Sequence, residues 1–147
     1  MVRKNEGGGA IDMKKGFLLN SEISSVISQM GHMDEITIGD AGLPIPSGTY
    51  RIDLSVFEGV PSFLDVLRGV LSEQKVEGLV MAEEIRETSP EMHSRILKLV
   101  EEFEDKFSIT YIPHEDFKKR TVESKAVVRT GEFTPYTNLI LISGVVF

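Results

Sequence analysis

Cysteine and tryptophan are both absent from the 147 residues. Without a thiol there is no disulfide, no thiolate metal ligand and no cysteine nucleophile. A cysteine-free chain also suits a reducing compartment, and a cytoplasmic protein is the expectation. Long apolar runs are missing: no stretch approaches the roughly 20 residues that cross a bilayer, so no membrane partner is expected. No apolar segment follows the basic residues near the N-terminus, so no signal peptide is expected either. Positive charge is scarce, with 16 Lys and Arg against 23 Asp and Glu and a formal net charge of -7. Nucleic acid is therefore disfavoured as a partner, because its phosphates gain nothing from an acidic surface without a basic patch.

What is present is the composition of a globular domain, 41% hydrophobic and 27% charged, in a chain long enough to bury a sizeable core. Residues 1–12, with Gly7-Gly8-Gly9, differ from the rest and read as a flexible N-terminal extension or an expression remnant. Met13 then reads as the natural start, and 13–147 as one domain. Asn20 or Ser21 can cap a helix carrying Ile23, Val26, Ile27 and Met30 on one face, with Gly31 suited to a left-handed ending. Glu35 to Gly39 reads as a strand, as does Arg51 to Ser55. Pro61 suits the first turn of a helix through Phe63, Val66, Leu67 and Val70. Val76 to Ala82 is a mostly apolar strand. Ser89-Pro90-Glu91 opens a helix reaching about Lys106. Phe107 to Ile112, a short helix from His114 to about Arg120, Ala126 to Arg129 and Leu139 to Ile142 complete the pattern. Strands alternating with helices predict an α/β fold, a single-domain three-layer α/β/α arrangement with a largely parallel central sheet. The short link between the last two strands leaves room for an antiparallel pair there.

Candidate chemistry concentrates around the segment Gly31 to Pro46. His32 follows a helix end, and an imidazole titrates near neutrality, so it can give or take a proton at cellular pH. The plainer alternative is a histidine that caps the last carbonyls of the helix. Asp40 ends an apolar strand, where a carboxylate needs partners; a substrate hydroxyl would serve, and so would the amides of its own loop. Asp34 could orient the imidazole but reads better as a solvated loop residue. His114 opens a helix after a strand, facing either a ligand or water, and His93 reads as a surface residue. The loop from Thr130 to Asn138 is polar and aromatic for a link between apolar strands. Its Tyr136 and Asn138 offer donors, acceptors and a flat ring that suit a sugar, although an ordinary hairpin with a structural tyrosine would look similar.

Several familiar sites are missing: GxGxxG after a strand, GxxxxGK[ST], HExxH and GxSxG. Acid–base chemistry with no cofactor and no metal is what survives. The blocks Met13-Lys14-Lys15-Gly16, Gly31-His32, Asp40-Ala41-Gly42-Leu43-Pro44-Ile45-Pro46, Gly59-Val60-Pro61-Ser62-Phe63, Ala82-Glu83-Glu84-Ile85, His114-Glu115-Asp116-Phe117-Lys118 and Arg129 to Asn138, in this order, resemble the D-ribose pyranase family over Met13 to Phe147. That resemblance implies an isomerase that interconverts the pyranose and furanose forms of D-ribose. It implies His32 as the proton donor, with Asp40, His114, Tyr136, Thr137 and Asn138 binding the sugar. It further implies a homo-oligomer, commonly a decamer, with sites near subunit boundaries. The related fucose mutarotases differ where this chain has Asp40 to Pro44. A non-catalytic sugar-binding or regulatory subunit of ribose uptake, or a mutarotase of another aldose, remain the alternatives.

Overall fold

The computed structural model describes residues 13–147; the expected extension at 1–12 lies outside them. The elements run α1 (Ser21–Gln29), β1 (Glu35–Gly39), β2 (Arg51–Asp53), α2 (Phe63–Leu71), β3 (Val76–Ala82), α3 (Ile85–Thr88), α4 (Pro90–Phe103), β4 (Ser108–Ile112), α5 (His114–Arg120), β5 (Val127–Arg129) and β6 (Leu139–Ser143). Local chemistry sets most boundaries. The Asn20 carboxamide accepts from the Ile23 amide at 2.8 Å and starts α1. The Ser62 hydroxyl accepts from Asp65 and starts α2, so Pro61 precedes the cap instead of occupying the first turn. Pro90 does open α4, but Ser89 leaves the helix uncapped and donates to the Pro135 carbonyl at 2.7 Å. Helix α1 ends without a left-handed glycine. The positive φ falls two residues later, at Met33 (74°), and Asp34 accepts from the Gly31 amide.

The strands form one sheet in the order β2-β5-β1-β6-β3-β4. β1 with β5, β2 with β5 and β3 with β4 are parallel, while β6 is antiparallel to both its neighbours, β1 and β3. The antiparallel β5–β6 pair allowed by their short link does not form, because β1 lies between them. A single strand threaded against the others reverses the usual order of rims. The start of β6 reaches the rim where the parallel strands end, and its end reaches the rim where they begin.

Side chains alternate across the sheet and fill a core on each face. Leu139 and Leu141 of β6 join Ile36, Ile38, Leu79 and Met81 under α1, α2 and α4. Ile140 and Ile142 point the other way, toward Val80, Val127, Leu43 and Phe117. Phe117 is fully buried and is the apolar anchor of α5. Arg120 at the far end of α5 pairs through two nitrogens with Glu35, at 3.2 and 2.8 Å, which ties that end of the helix to the start of β1. We expect Phe117→Ala to lower stability by about 3–5 kcal/mol, read as a fall in the urea midpoint.

Candidate functional site

Three chain segments meet at the rim where the parallel strands end. Asp40 follows β1, His114 follows β4, and Tyr136-Thr137-Asn138 leads into β6. Ligands of open α/β sheets bind at such a rim. The Asn138 carboxamide oxygen accepts from the Asp40 amide at 2.8 Å. The His114 and Tyr136 rings meet edge to face, their centroids 5.0 Å apart. Asp40, His114, Tyr136, Thr137 and Asn138 thus form one cluster, although they come from distant parts of the chain.

The cluster is held under some strain. Tyr136 has a φ of 58°, a left-handed backbone that a bulky residue rarely adopts and that concentrates at functional sites. Burial pushes the Asp40 carboxyl above its usual range. The amides of Gly42, Leu43 and Thr137 and the charge of His114 pull in the opposite direction without cancelling that effect. Two buried polar atoms, His114 Nδ1 and Thr137 Oγ1, have no hydrogen-bond partner among the described residues. Buried polar groups are normally paired, so two unpaired atoms beside a carboxylate set this cluster apart from an ordinary core.

A supporting layer fixes the cluster. Glu84 accepts from the His114 amide at 3.0 and 3.2 Å. Arg129 donates through Nε to the Ala41 carbonyl at 3.0 Å and pairs with Asp53. Glu132 ties three segments together: its backbone carbonyl accepts from Ala41, and its carboxylate accepts from the Phe63 amide and the Thr134 hydroxyl. Gly131 beside it packs against backbone; a Cβ there would lie 2.5 Å from the Val60 carbonyl oxygen. Reasoning from sequence passed over Glu84, Arg129 and Glu132 as site-builders. Acidic residues and an arginine beside loops are common, and only the fold tells which of them grip backbone. Asp40, Arg129, Phe57 and Phe133 also line an open cleft of about 640 Å³. Its apolar members Val56, Phe57 and Phe133 are more than 60% exposed, at 68%, 66% and 61%.

His32 is not part of this cluster. It precedes β1, whereas Asp40 follows it, and the five residues of β1 alone extend roughly 13–17 Å. The imidazole does not cap α1. Its Nε2 lies 2.9 Å from Glu77 Oε1, at the opposite rim, with half of the His32 side chain exposed. Asp34 serves the Gly31 amide instead of the imidazole. His93, expected at the surface, is half-buried and bonded to the Tyr111 hydroxyl at 2.6 Å. Burial and the nearby Arg86 charge lower its pKa. Among the described residues no three His, Asp or Glu side chains gather as metal ligands would, and no helix is long and apolar enough to cross a membrane.

Comparison with known proteins covers nearly the whole chain. A D-ribose pyranase of Aliivibrio fischeri is 55% identical over 139 residues, covering 92% of this chain and all of that protein. The solved structure of Bacillus subtilis RbsD complexed with D-ribose superposes with a TM-score of 0.85 at 44% identity, covering 92% of this chain and all of the other. A fucose mutarotase from Streptococcus pneumoniae, solved in complex with L-fucose, is more distant, with a TM-score of 0.65 and 26% identity over 90% of this chain and 97% of that one. The model of the RbsD / FucU transport protein family matches residues 13–146, and the chain belongs to that family.

Proposed function

We propose that this protein is a cofactor-independent isomerase that interconverts the pyranose and furanose forms of D-ribose in the cytoplasm, at a site shared between two copies of the chain. The observation that carries the reading is the cluster of Asp40, His114, Tyr136, Thr137 and Asn138. It offers a carboxylate, an imidazole nitrogen and a hydroxyl that have no partner among the described residues, and an aromatic edge, a set matched to a small polyol. Relatives of the chain are D-ribose pyranases, and a structural relative holds ribose. Both favour ribose over fucose, since the fucose enzyme is much less similar.

Opening a ribopyranose breaks the bond between C1 and the ring oxygen. The ring oxygen gains a proton, the anomeric hydroxyl loses one, and an open aldehyde results. Reclosure through the neighbouring hydroxyl gives the furanose, with the proton traffic reversed. His32, as imidazolium, is the donor to the ring oxygen and, once neutral, takes up the proton that the anomeric hydroxyl releases. Asp40 accepts hydrogen bonds from sugar hydroxyls, with His114, Thr137 and Asn138 fixing the others, and the Tyr136 ring covers an apolar face. Because one copy holds His32 and Asp40 at opposite ends of β1, the donor comes from a second copy. The exposed Val56, Phe57 and Phe133 beside the Asp40 loop are the kind of apolar border that a neighbouring subunit covers. A closed ring of copies, such as a decamer, completes every site in the same way.

Exchange spectroscopy on ribose anomers tests the activity. The wild type should accelerate pyranose–furanose exchange, and His32→Ala should reduce that acceleration by about 100-fold or more. Exchange at the uncatalysed rate in both samples removes the enzyme reading and leaves a binding subunit; faster exchange with L-fucose than with ribose would reassign the sugar. Co-refolding His32→Ala with Asp40→Asn should restore activity at roughly one quarter of the sites, whereas a site within one copy would stay silent in the mixture. Asp40→Asn alone makes a further expectation. A carboxyl whose folded pKa is raised loses stability as pH rises from its unfolded value through the folded one. Removing the charge should therefore raise the unfolding midpoint at pH 7, with the gain vanishing below about pH 4, while ribose binding weakens.

A further inference from the structure

Glu77, the partner of His32, occupies an irregular place in the sheet. Val76 pairs with Ser143 and Gly78 with Ile142, so Glu77 is an extra residue with no counterpart on β6. This is a β-bulge, a device that re-aims a side chain and recurs beside active sites. Its effect is visible in the core. Val76 and Leu79, three residues apart, join the same apolar cluster, which strict alternation forbids. The bulge keeps Val76 inside while turning Glu77 toward His32.

Neighbouring residues are built around this arrangement. The Val76 amide donates to the buried Glu104 carboxylate at 3.0 Å, which anchors the start of β3. Gly144 donates to the Lys75 carbonyl at 2.8 Å; a Cβ on Gly144 would lie 3.3 Å from the Glu77 Cβ, so a bare residue suits the position. The His32 turn is strapped to β6 as well. Met33 donates to the Ser143 carbonyl at 2.9 Å and Ser143 donates to the Asp34 carbonyl at 2.8 Å. The two backbones that carry the imidazole and the carboxylate are thus fixed relative to one another through β6.

An ionised carboxylate only accepts hydrogen bonds. With Glu77 Oε1 at 2.9 Å, Nε2 of His32 must hold a proton in either charge state, which leaves Nδ1 as the atom free to change its protonation. Resting on the reading of His32 as proton donor, we infer that Glu77 is a positioning residue: it orients the His32 imidazole through Nε2, so that Nδ1 exchanges the proton with the sugar. Glu77 does not touch the sugar. It acts as the carboxylates behind histidines in other acid–base sites do, by selecting tautomer and ring orientation.

The test combines ring spectroscopy with kinetics on the full chain. In histidine-labelled wild type, long-range ¹H–¹⁵N correlations at a pH where the ring is neutral should show the Nε2–H tautomer of His32. Glu77→Ala should give a mixture of tautomers, and Glu77→Gln, which keeps an acceptor, should retain Nε2–H. In ribose exchange, Glu77→Ala should lower kcat by about 10- to 100-fold with KM within about twofold, and Glu77→Gln should fall between it and wild type. An unaltered tautomer in Glu77→Ala, an Nδ1–H tautomer in the wild type, or a loss confined to KM overturns the inference while the isomerase reading stands. A wild type with no exchange activity overturns both. Unfolding midpoints separate lost positioning from lost fold, and should Glu77→Ala prove unstable, the Gln variant carries the comparison.

Discussion

The ladder of backbone hydrogen bonds that β6 makes on both sides is the constraint on which the molecule depends. β6 pairs with β1 on one edge and β3 on the other, and its side chains enter both cores. Its first residues follow directly on Tyr136, Thr137 and Asn138; its last, Ser143, straps the turn that carries His32. Slipping β6 by one residue would swap its two apolar faces and move the Asp40 cluster and the His32 turn together. A strand whose first four side chains are apolar and enter cores on both faces resists such a slip, because each wrong register also buries mismatched volumes.

The two rims differ in character. At one, buried groups of opposite tendency are pressed together: a carboxyl driven toward its neutral form by burial, an imidazole nitrogen and a hydroxyl without partners among the described residues, and a tyrosine held in a left-handed backbone. Such a constellation opposes folding and persists because Glu84, Arg129 and Glu132 over-determine the backbone around it. At the other rim His32 and Glu77 are half exposed to solvent. There geometry is set by the bulge and the strapped turn, and the side chains are cheaply hydrated.

Much of this was legible in the residues. Strand β1 and helix α5 match the expected limits because their signals are local: apolar alternation ended by a Gly/Asp loop, and a short polar helix after a proline. The three-layer α/β arrangement follows from alternating elements. Pairing order was not legible, since a short link between β5 and β6 favours a neighbouring pair and nothing in the link reveals that β1 intervenes. The bulge at Glu77 is equally silent, being a matter of register against a strand more than sixty residues away. His32 and Asp40 are the sharpest lesson. They sit eight residues apart and invite a shared role within one chain, yet an extended backbone between them acts as a spacer, while Asp40 and His114, distant in sequence, become neighbours through parallel strands.

In the proposed mechanism a stiff β1 separates the donor from the sugar-holding groups, and this has a consequence for how catalysis responds to dilution. No hinge within a single copy can fold one end of a five-residue, fully paired strand back onto the other. Turnover would then fade as subunits separate, even where each remains folded and chemically intact. Catalytic output would follow the degree of association, and the protein's own abundance would act as its regulator.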